Sequence, residues 1–375
     1  MEFSFSILSL AYLGLLISLY ISWKRIILYK SAPHVPATFI SVIIPVRNEE
    51  QNILNLLNDL NAQTYPASLF EVIIIDDNST DNTAELVRSY KASASFQLSL
   101  QTPVISENLS FKKNAIEAGI RLAKGKLIMT TDGDCRAGIE WLSTIEDFYQ
   151  QTKAKFISSP VAFFKEEEIL KNMQSIEFAS LIGTGAASLN LGFPNMCNGA
   201  NIAYEKSVFL EVNGFKGNEH IPSGDDEFLM HKIYRKYPDE VLFLKSSMAA
   251  IFTGAKENLS ELLEQRKRWA SKWSSYAFFN IKALAIFVFL YNLCLLLSLV
   301  LTLSGIYSPW LLLLQVIPKI IMEALFISSV LNLSGRNLNP LLFLCLQVLY
   351  PLYVVVIALI SRTGGYSWKG RQVRV

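Results

Sequence analysis

Gln265, Arg266, Lys267, Arg268 and Trp269 stand together just ahead of a long apolar run. On a helix, Gln265, Arg268 and Trp269 fall at i, i+3 and i+4, so an amide, a guanidinium and an indole share one face within about one turn. Such a face suits a sugar or lipid head stacked on the indole. Beside it the planar arginine fork can meet a departing anion, a role lysine fills poorly. Arg266 and Lys267 are expected to point away from that face, toward an anionic membrane surface. The competing reading is a juxtamembrane basic helix with an interfacial tryptophan, in which charge alone matters.

Acidic residues supply the other half of the chemistry. Asp132 and Asp134 flank Gly133 directly after the apolar stretch Leu127 to Thr131. Two carboxylates so placed can hold a hard cation, Mg²⁺ or Mn²⁺, together with phosphate oxygens. The same tripeptide is also ordinary turn chemistry. Asp76 and Asp77 follow another apolar stretch and could cap a helix, although Ser79, Thr80 and Asp81 fill that role equally well. Asp225, Asp226 and Glu227 either open a solvated helix or include a working base. Lys112 could bring a cation to a nucleotide or its phosphate, with Lys113 as its solvated neighbour. His220 and His231 lack metal-like company and read as surface or packing residues. Cys135, Cys197, Cys294 and Cys345 show no C-x-x-C spacing and read as free thiols.

The elements that must position these residues alternate between strand and helix. Residues 39–45 read as a buried strand, 49–63 as an amphipathic helix, 71–75 as a strand, 111–124 as a helix and 127–131 as a strand. That alternation signals a mostly parallel sheet covered by helices. Ligands of such sheets bind outside the carboxyl ends of the strands, which is where both aspartate motifs fall.

At 375 residues, 51% hydrophobic, the chain is too apolar for a single soluble domain and too charged in its middle for a membrane bundle alone. Residues 3–23 carry no charge and are long enough to cross a bilayer, and Lys24, Arg25 and Lys30 follow them. Basic residues after the run, and no cleavage site, argue against a signal peptide. By the positive-inside rule the N-terminus lies outside and the following domain in the cytoplasm. Two further spans are expected at about 281–303 and 309–331, and a third uncharged run covers 337–361. Three full crossings would put the tail outside, whereas Arg362, Lys369, Arg371 and Arg374 favour the cytoplasm; either one run is re-entrant or interfacial, or the tail is external despite its charge. Lys319 and Glu323, at i and i+4, read as an intrahelical pair inside a span. A net charge of +2 with no basic block argues against nucleic-acid binding. The expected division is an anchor (1–30), a cytoplasmic α/β domain (36–260), an interfacial helix (261–280), membrane segments (281–361) and a basic tail (362–375).

In their order along the chain, D-D-N-S-T (76–80), D-G-D (132–134), G-D-D-E-F-L (224–229) and Q-R-K-R-W (265–269) resemble the motifs of membrane-bound family 2 glycosyltransferases, among them cellulose, hyaluronan and poly-N-acetylglucosamine synthases and ceramide glucosyltransferase. The resemblance implies a GT-A domain, a nucleotide-sugar donor, UDP-linked, and inversion at the anomeric carbon. It makes Asp76 or Asp77 a contact to the nucleotide base or ribose, and Asp132 and Asp134 the metal ligands. Asp226 takes the place of the general base in E-D-x-x-L, and Asp225 stands where the family has glutamate, which leaves the choice between the two open. The segment from Cys197 to Tyr204 is similar to G-A-N-x-A-Y and implies that Gly199 and Asn201 line the sugar and acceptor pocket. Two acceptors fit: a lipid or lipid-linked acceptor at the membrane face, or a growing glycan, which so slim a bundle could export only as an oligomer or with a partner. A scaffold or transporter without catalysis would not explain intact acidic motifs.

Overall fold

Short runs rich in isoleucine and valine form the strands, and they are buried on both faces, as strands of a parallel sheet must be when helices cover them. The computed structural model describes residues 2–32, 34–104, 110–165, 167–272, 275–276, 278–361, 365–369 and 371–373. Arg362 and Arg374 lie outside the described residues.

The chain enters through a long apolar helix, α1 (Glu2–Arg25). It continues through β1 (Ile40–Val46), α2 (Ile53–Asn61), β2 (Phe70–Asp76), α3 (Thr83–Tyr90), β3 (Gln97–Gln101), α4 (Phe111–Leu122), β4 (Leu127–Thr130), β5 (Arg136–Ala137), α5 (Trp141–Thr152), β6 (Phe156–Ser158) and β7 (Val161–Phe163). Next come α6 (Ile169–Asn190), β8 (Ile202–Glu205), α7 (Lys206–Glu211), α8 (Asp225–Lys236), β9 (Val241–Phe243), β10 (Ile251–Thr253) and α9 (Leu259–Ala270). Three long helices, α10 (Phe279–Leu303), α11 (Pro309–Leu331) and α12 (Pro340–Ile360), precede a hairpin of β11 (Tyr366–Trp368) and β12 (Arg371–Val373).

The main sheet runs β3-β2-β1-β4-β8-β6-β9. All its pairs are parallel except those of β8, which is antiparallel to both β4 and β6, so the mostly parallel α/β sheet expected from the alternation is present. Side chains alternate across it. Val42 and Ile44 of β1 pack with Leu56 and Leu60 of α2, while Ile43 packs on the other face with Ile116 and Ile120 of α4. α2 starts four residues later than its periodicity predicts, because Glu49 and Asn52 close a turn through the Asn52 amide and the Glu49 N–H is taken by Thr83 Oγ1.

α1, α10, α11 and α12 are long and apolar enough to cross a membrane. α6 carries the α/β domain onto them: Ser22 Oγ of α1 donates to the Ala187 carbonyl at 2.7 Å, and Gly183 lets α6 approach Val330 and Phe326 of α11 so closely that a Cβ there would meet Val330 at 2.5 Å. Contacts at both ends of α12 bear on the conflict between the crossing count and the basic tail. Before this helix, Arg336 donates to the Ser175 hydroxyl of α6 and to the Phe163 carbonyl of β7; after it, Lys267 of α9 donates to the Gly365 carbonyl at 2.9 Å. The residue before the third apolar run thus holds α6 and β7, and the chain after it meets α9. By length and hydropathy α12 is long enough to span, as are α1, α10 and α11.

Candidate active site

The carboxyl ends of β2 and β4 deliver Asp76 and Asp77, and Asp132 and Asp134, to one edge of the sheet. Asp76 turns inward and its Oδ1 accepts the Ser79 N–H at 3.1 Å, which closes the turn. Asp77 lines a cavity of about 770 Å³ that also takes in Lys112, Asp132, Asp134, Asp225 and Asp226. Lys112 Nζ lies 2.8 Å from Asp132 Oδ1 and 3.7 Å from Asp225 Oδ2, and so stitches α4 to the ends of β4 and α8. Burial works against ionisation of Asp132, but the charge and hydrogen bond of Lys112 outweigh it and hold the carboxyl below its usual range. Lys113 is not the solvated neighbour expected. It is buried, its ammonium is spent on the Asn218 and Ile221 carbonyls, and burial brings its pKa down to about 8.

Gly224, at φ +80°, turns the chain into α8 and sets Asp225 and Asp226 side by side at its first turn. Asp226 Oδ2 accepts the Gly199 N–H at 2.8 Å, and Asp226 Oδ1 accepts the Glu227 N–H at 2.8 Å. A Cβ on Gly199 would stand 3.3 Å from both Asp225 Oδ2 and Asp226 Cβ, so the glycine permits this approach. Burial lifts the Asp225 carboxyl above its usual range; Lys112 pulls against that, and the neighbouring Asp226 and Asp132 carboxylates reinforce it. Glu227 is committed elsewhere, accepting from Lys272 Nζ at 3.0 Å and Tyr276 at 2.6 Å.

Gly199 lines the cavity, but Asn201 does not, contrary to the expectation that both do. Asn201 is fully buried: its amide donates to the Pro160 and Ala249 carbonyls and its oxygen accepts from the Trp141 indole. It clamps the loop that carries Gly199. On α9, Gln265, Arg268 and Trp269 reach the cavity together, as helical spacing requires. Arg266 departs from expectation, since it does not point away from their shared face but lines the same cavity. Arg266 is buried, pairs with Glu177 of α6 at 2.6 Å and lies 4.4 Å over the Trp269 ring, while Lys267 holds the Gly365 carbonyl. A partner on α6, distant in sequence, draws Arg266 inward.

Sequence reasoning missed the hairpin entirely as a site element. Lys369 forms an ion pair with Glu49, Arg371 Nη1 meets Asp77 Oδ2 at 2.5 Å, and the Arg371 guanidinium lies 3.8 Å over the Phe111 ring. Lys369 itself lines the cavity. The available signal was the pair of basic residues Lys369 and Arg371 beside a turn-favouring Lys-Gly dipeptide in the sequence.

The carboxylates fit a divalent cation bound alongside a diphosphate. Lys112 occupies one oxygen of Asp132 and leaves the other, and among the described residues Asp134 accepts only a 3.8 Å contact from the Cys135 thiol. Among the described residues no cluster of three or more ligating side chains forms a full protein cage. One or two carboxylates completed by phosphate oxygens is the usual magnesium arrangement. Beyond Trp269, Met196, Leu181 and Tyr350, which wall both spaces, the cavity adjoins a second one of about 880 Å³ among α1, α6, α10, α11 and α12.

Residues 41–212 match the family described as Glycosyl transferase family 2, and residues 127–359 match Glycosyl transferase family group 2. Over 250 residues the chain is 28% identical to a poly-beta-1,6-N-acetyl-D-glucosamine synthase of Staphylococcus epidermidis, covering 66% of this chain and 57% of that protein. A protein of the same name from Staphylococcus aureus (strain COL) is 30% identical over 234 residues, 62% of this chain and 53% of that one. The chain thus spans about half the length of these curated relatives. Among solved structures, the mannosyltransferase PcManGT from Pyrobaculum calidifontis, in complex with GDP-Man and Mn²⁺, is similar over 96% of this chain and 98% of that one, with a TM-score of 0.57 and 15% identity, a likeness of fold.

Proposed function

Because the chain belongs to the family 2 glycosyltransferases, with a GT-A-like domain and four apolar helices long enough to span a membrane, we propose that it moves a sugar from a nucleoside diphosphate sugar, with inversion at C1, onto an acceptor hydroxyl arriving from the membrane-side helices. One observation carries this reading: a cavity ringed by Asp77, Lys112, Asp132, Asp134, Asp226 and Arg268 adjoins, past Trp269, a second cavity among the long helices. Asp77 and Lys112 hold the nucleotide side, and Asp132 with Asp134 would bind Mg²⁺ or Mn²⁺. Such a cation, when bound, neutralises charge on the diphosphate.

Asp226 is the general base. Its carboxylate is oriented by the Gly199 and Glu227 N–H groups, so it presents a fixed oxygen to the acceptor hydroxyl. As that hydroxyl loses its proton to Asp226, its oxygen bonds to C1 and the bond from C1 to the diphosphate breaks, with Lys112 and Arg268 placed to meet the departing charge. Asp225 acts differently. It faces Lys112 and sets that lysine's position between the two acidic motifs. The basic flank Lys24, Arg25 and Lys30 supports a catalytic domain on the cytoplasmic face of the inner membrane.

A second reading, a synthase that elongates and exports a β-linked glycan, is favoured by the names of the staphylococcal relatives. With one slim bundle it would require an oligomer or an export partner. The test is nucleoside diphosphate release by the detergent-solubilised full chain, with UDP-GlcNAc, UDP-glucose and GDP-mannose in Mn²⁺ or Mg²⁺. The reading expects release with one of these donors, loss with a chelator and loss in Asp132→Asn. Release that survives both the chelator and Asp132→Asn would overturn the metal assignment, and no release with any donor would overturn the transferase reading.

A further inference from the structure

The second cavity has walls of unusual chemistry. Leu284, Phe289, Phe326, Phe343 and Leu346 make them largely apolar, and the charged side chains lining it among the described residues are both acidic, Glu177 and Glu323. Lys319 does not balance them toward the cavity. It is buried, donating to Glu323 Oε2 at 2.8 Å and to Gln347 Oε1. Gln347 Nε2 donates to Glu323 Oε2 at 2.9 Å, and the Tyr12 hydroxyl donates to Glu323 Oε1 at 3.1 Å. The expected intrahelical pair is therefore the core of a cluster drawn from α1, α11 and α12. Its donors are turned onto the Glu323 and Gln347 oxygens, so Glu323 and Tyr12 offer the cavity oxygen lone pairs.

Lone pairs recognise donors. A hydroxyl or amide N–H can bond to them, whereas a phosphate, which brings acceptors and negative charge, would find the nearby cations already spent, Arg266 on Glu177 and Lys319 on Glu323 and Gln347. Resting on the transferase reading above, we propose that this cavity binds the hydrocarbon of an uncharged lipid acceptor whose head carries a hydroxyl, and that Tyr12, Glu323 and Gln347 select it over phosphate-bearing lipids. The shared wall at Trp269 and Tyr350 brings that head toward Asp226. A volume of about 880 Å³ is on the scale of a drug-sized ligand or larger, enough for short acyl chains.

The test uses two probes that differ only in the phosphate, dioctanoylglycerol and dioctanoyl phosphatidic acid, titrated against the full chain in detergent and read by tryptophan fluorescence. Saturable binding of dioctanoylglycerol is expected, with phosphatidic acid at least tenfold weaker, a gap of about 1.4 kcal/mol. Ala285→Phe, which fills the cavity, should abolish dioctanoylglycerol binding, while Leu314→Phe on the outer face of α11 should leave it intact. Removing both partners of the buried pair together, in a Glu323→Gln, Lys319→Met variant that strands no charge, should narrow the preference to under threefold. Equal or tighter binding of phosphatidic acid to the wild type, or unchanged binding in Ala285→Phe, overturns the proposal. Failure of nucleotide release in the assay described above would instead strike the donor reading, since these titrations contain no nucleotide.

Discussion

The two cavities share a wall at Trp269, Met196 and Tyr350, yet they are built by opposite means. On the donor side, charges collect at strand ends and are held against one another: Lys112 between Asp132 and Asp225, Arg371 on Asp77, Lys272 on Glu227. On the membrane side, one cluster around Glu323 satisfies itself within a largely apolar lining. A site prepared for a highly charged leaving group must carry compensating charge before the ligand arrives. A site for a hydrocarbon needs only shape and a few oriented dipoles, because the hydrophobic effect is non-directional.

Removing the base should separate the two halves most sharply. Asp226→Asn is expected to lower turnover by about 10² to 10⁴ with little change in donor KM, while dioctanoylglycerol binding stays as in the wild type. Asp225→Asn should cost less, and the reverse ranking in steady-state kinetics would shift the base by one residue.

Next in size is the shared wall. Arg266→Ala strands Glu177 and removes the cation from the Trp269 face, so stability should fall by about 3 kcal/mol in denaturant unfolding. Both donor turnover and lipid binding should weaken together; loss of one alone would show that the wall is not shared in function.

Arg268→Lys keeps the charge and loses the fork. Turnover should fall roughly tenfold, the scale of one hydrogen bond to a charged group, with lipid binding unaffected. Near-normal turnover would leave α9 as a basic helix in which only charge counts.

The smallest effect lies outside both cavities. Burial opposes the charged form of His34, but its hydrogen bonds to Glu146 and the Ala32 carbonyl, together with Asp147, hold its pKa above 6.5. A raised folded-state pKa stabilises fully below the unfolded value and the gain disappears as pH rises through the folded one. His34→Gln should therefore melt below the wild type at pH 5.5 and with it at pH 9, with turnover per folded molecule unchanged.

What could be read in advance follows from how far each interaction reaches along the chain. Asp132 and Asp134 were legible because an apolar strand and its acidic end are neighbours in sequence. Gln265, Arg268 and Trp269 were legible because helical spacing fixes a shared face. That same spacing sent Arg266 the wrong way, since its direction is decided by Glu177, 89 residues distant. Asn201 was misplaced for a similar reason: its partners Trp141, Pro160 and Ala249 lie on three other segments. The third apolar run has the length and hydropathy of a span, and the contacts of Arg336 and Gly365 at its ends, made with residues distant in sequence, could not be read in advance.

The hairpin around Lys369 ties two widely separated moments in the life of the chain. Glu49 and Asp77 leave the ribosome early, and their partners Lys369 and Arg371 follow 320 and 294 residues later. At a synthesis rate of about 5–20 residues per second, β1 and β2 precede those cations by tens of seconds. α10, α11 and α12 are also made in that interval. The last clasp on this edge of the sheet is thus supplied by residues that follow α10, α11 and α12 in sequence, so a chain whose synthesis has not passed them presents Glu49 and Asp77 without those cations. Completion of the chain and completion of the proposed nucleotide side of the site are thereby linked.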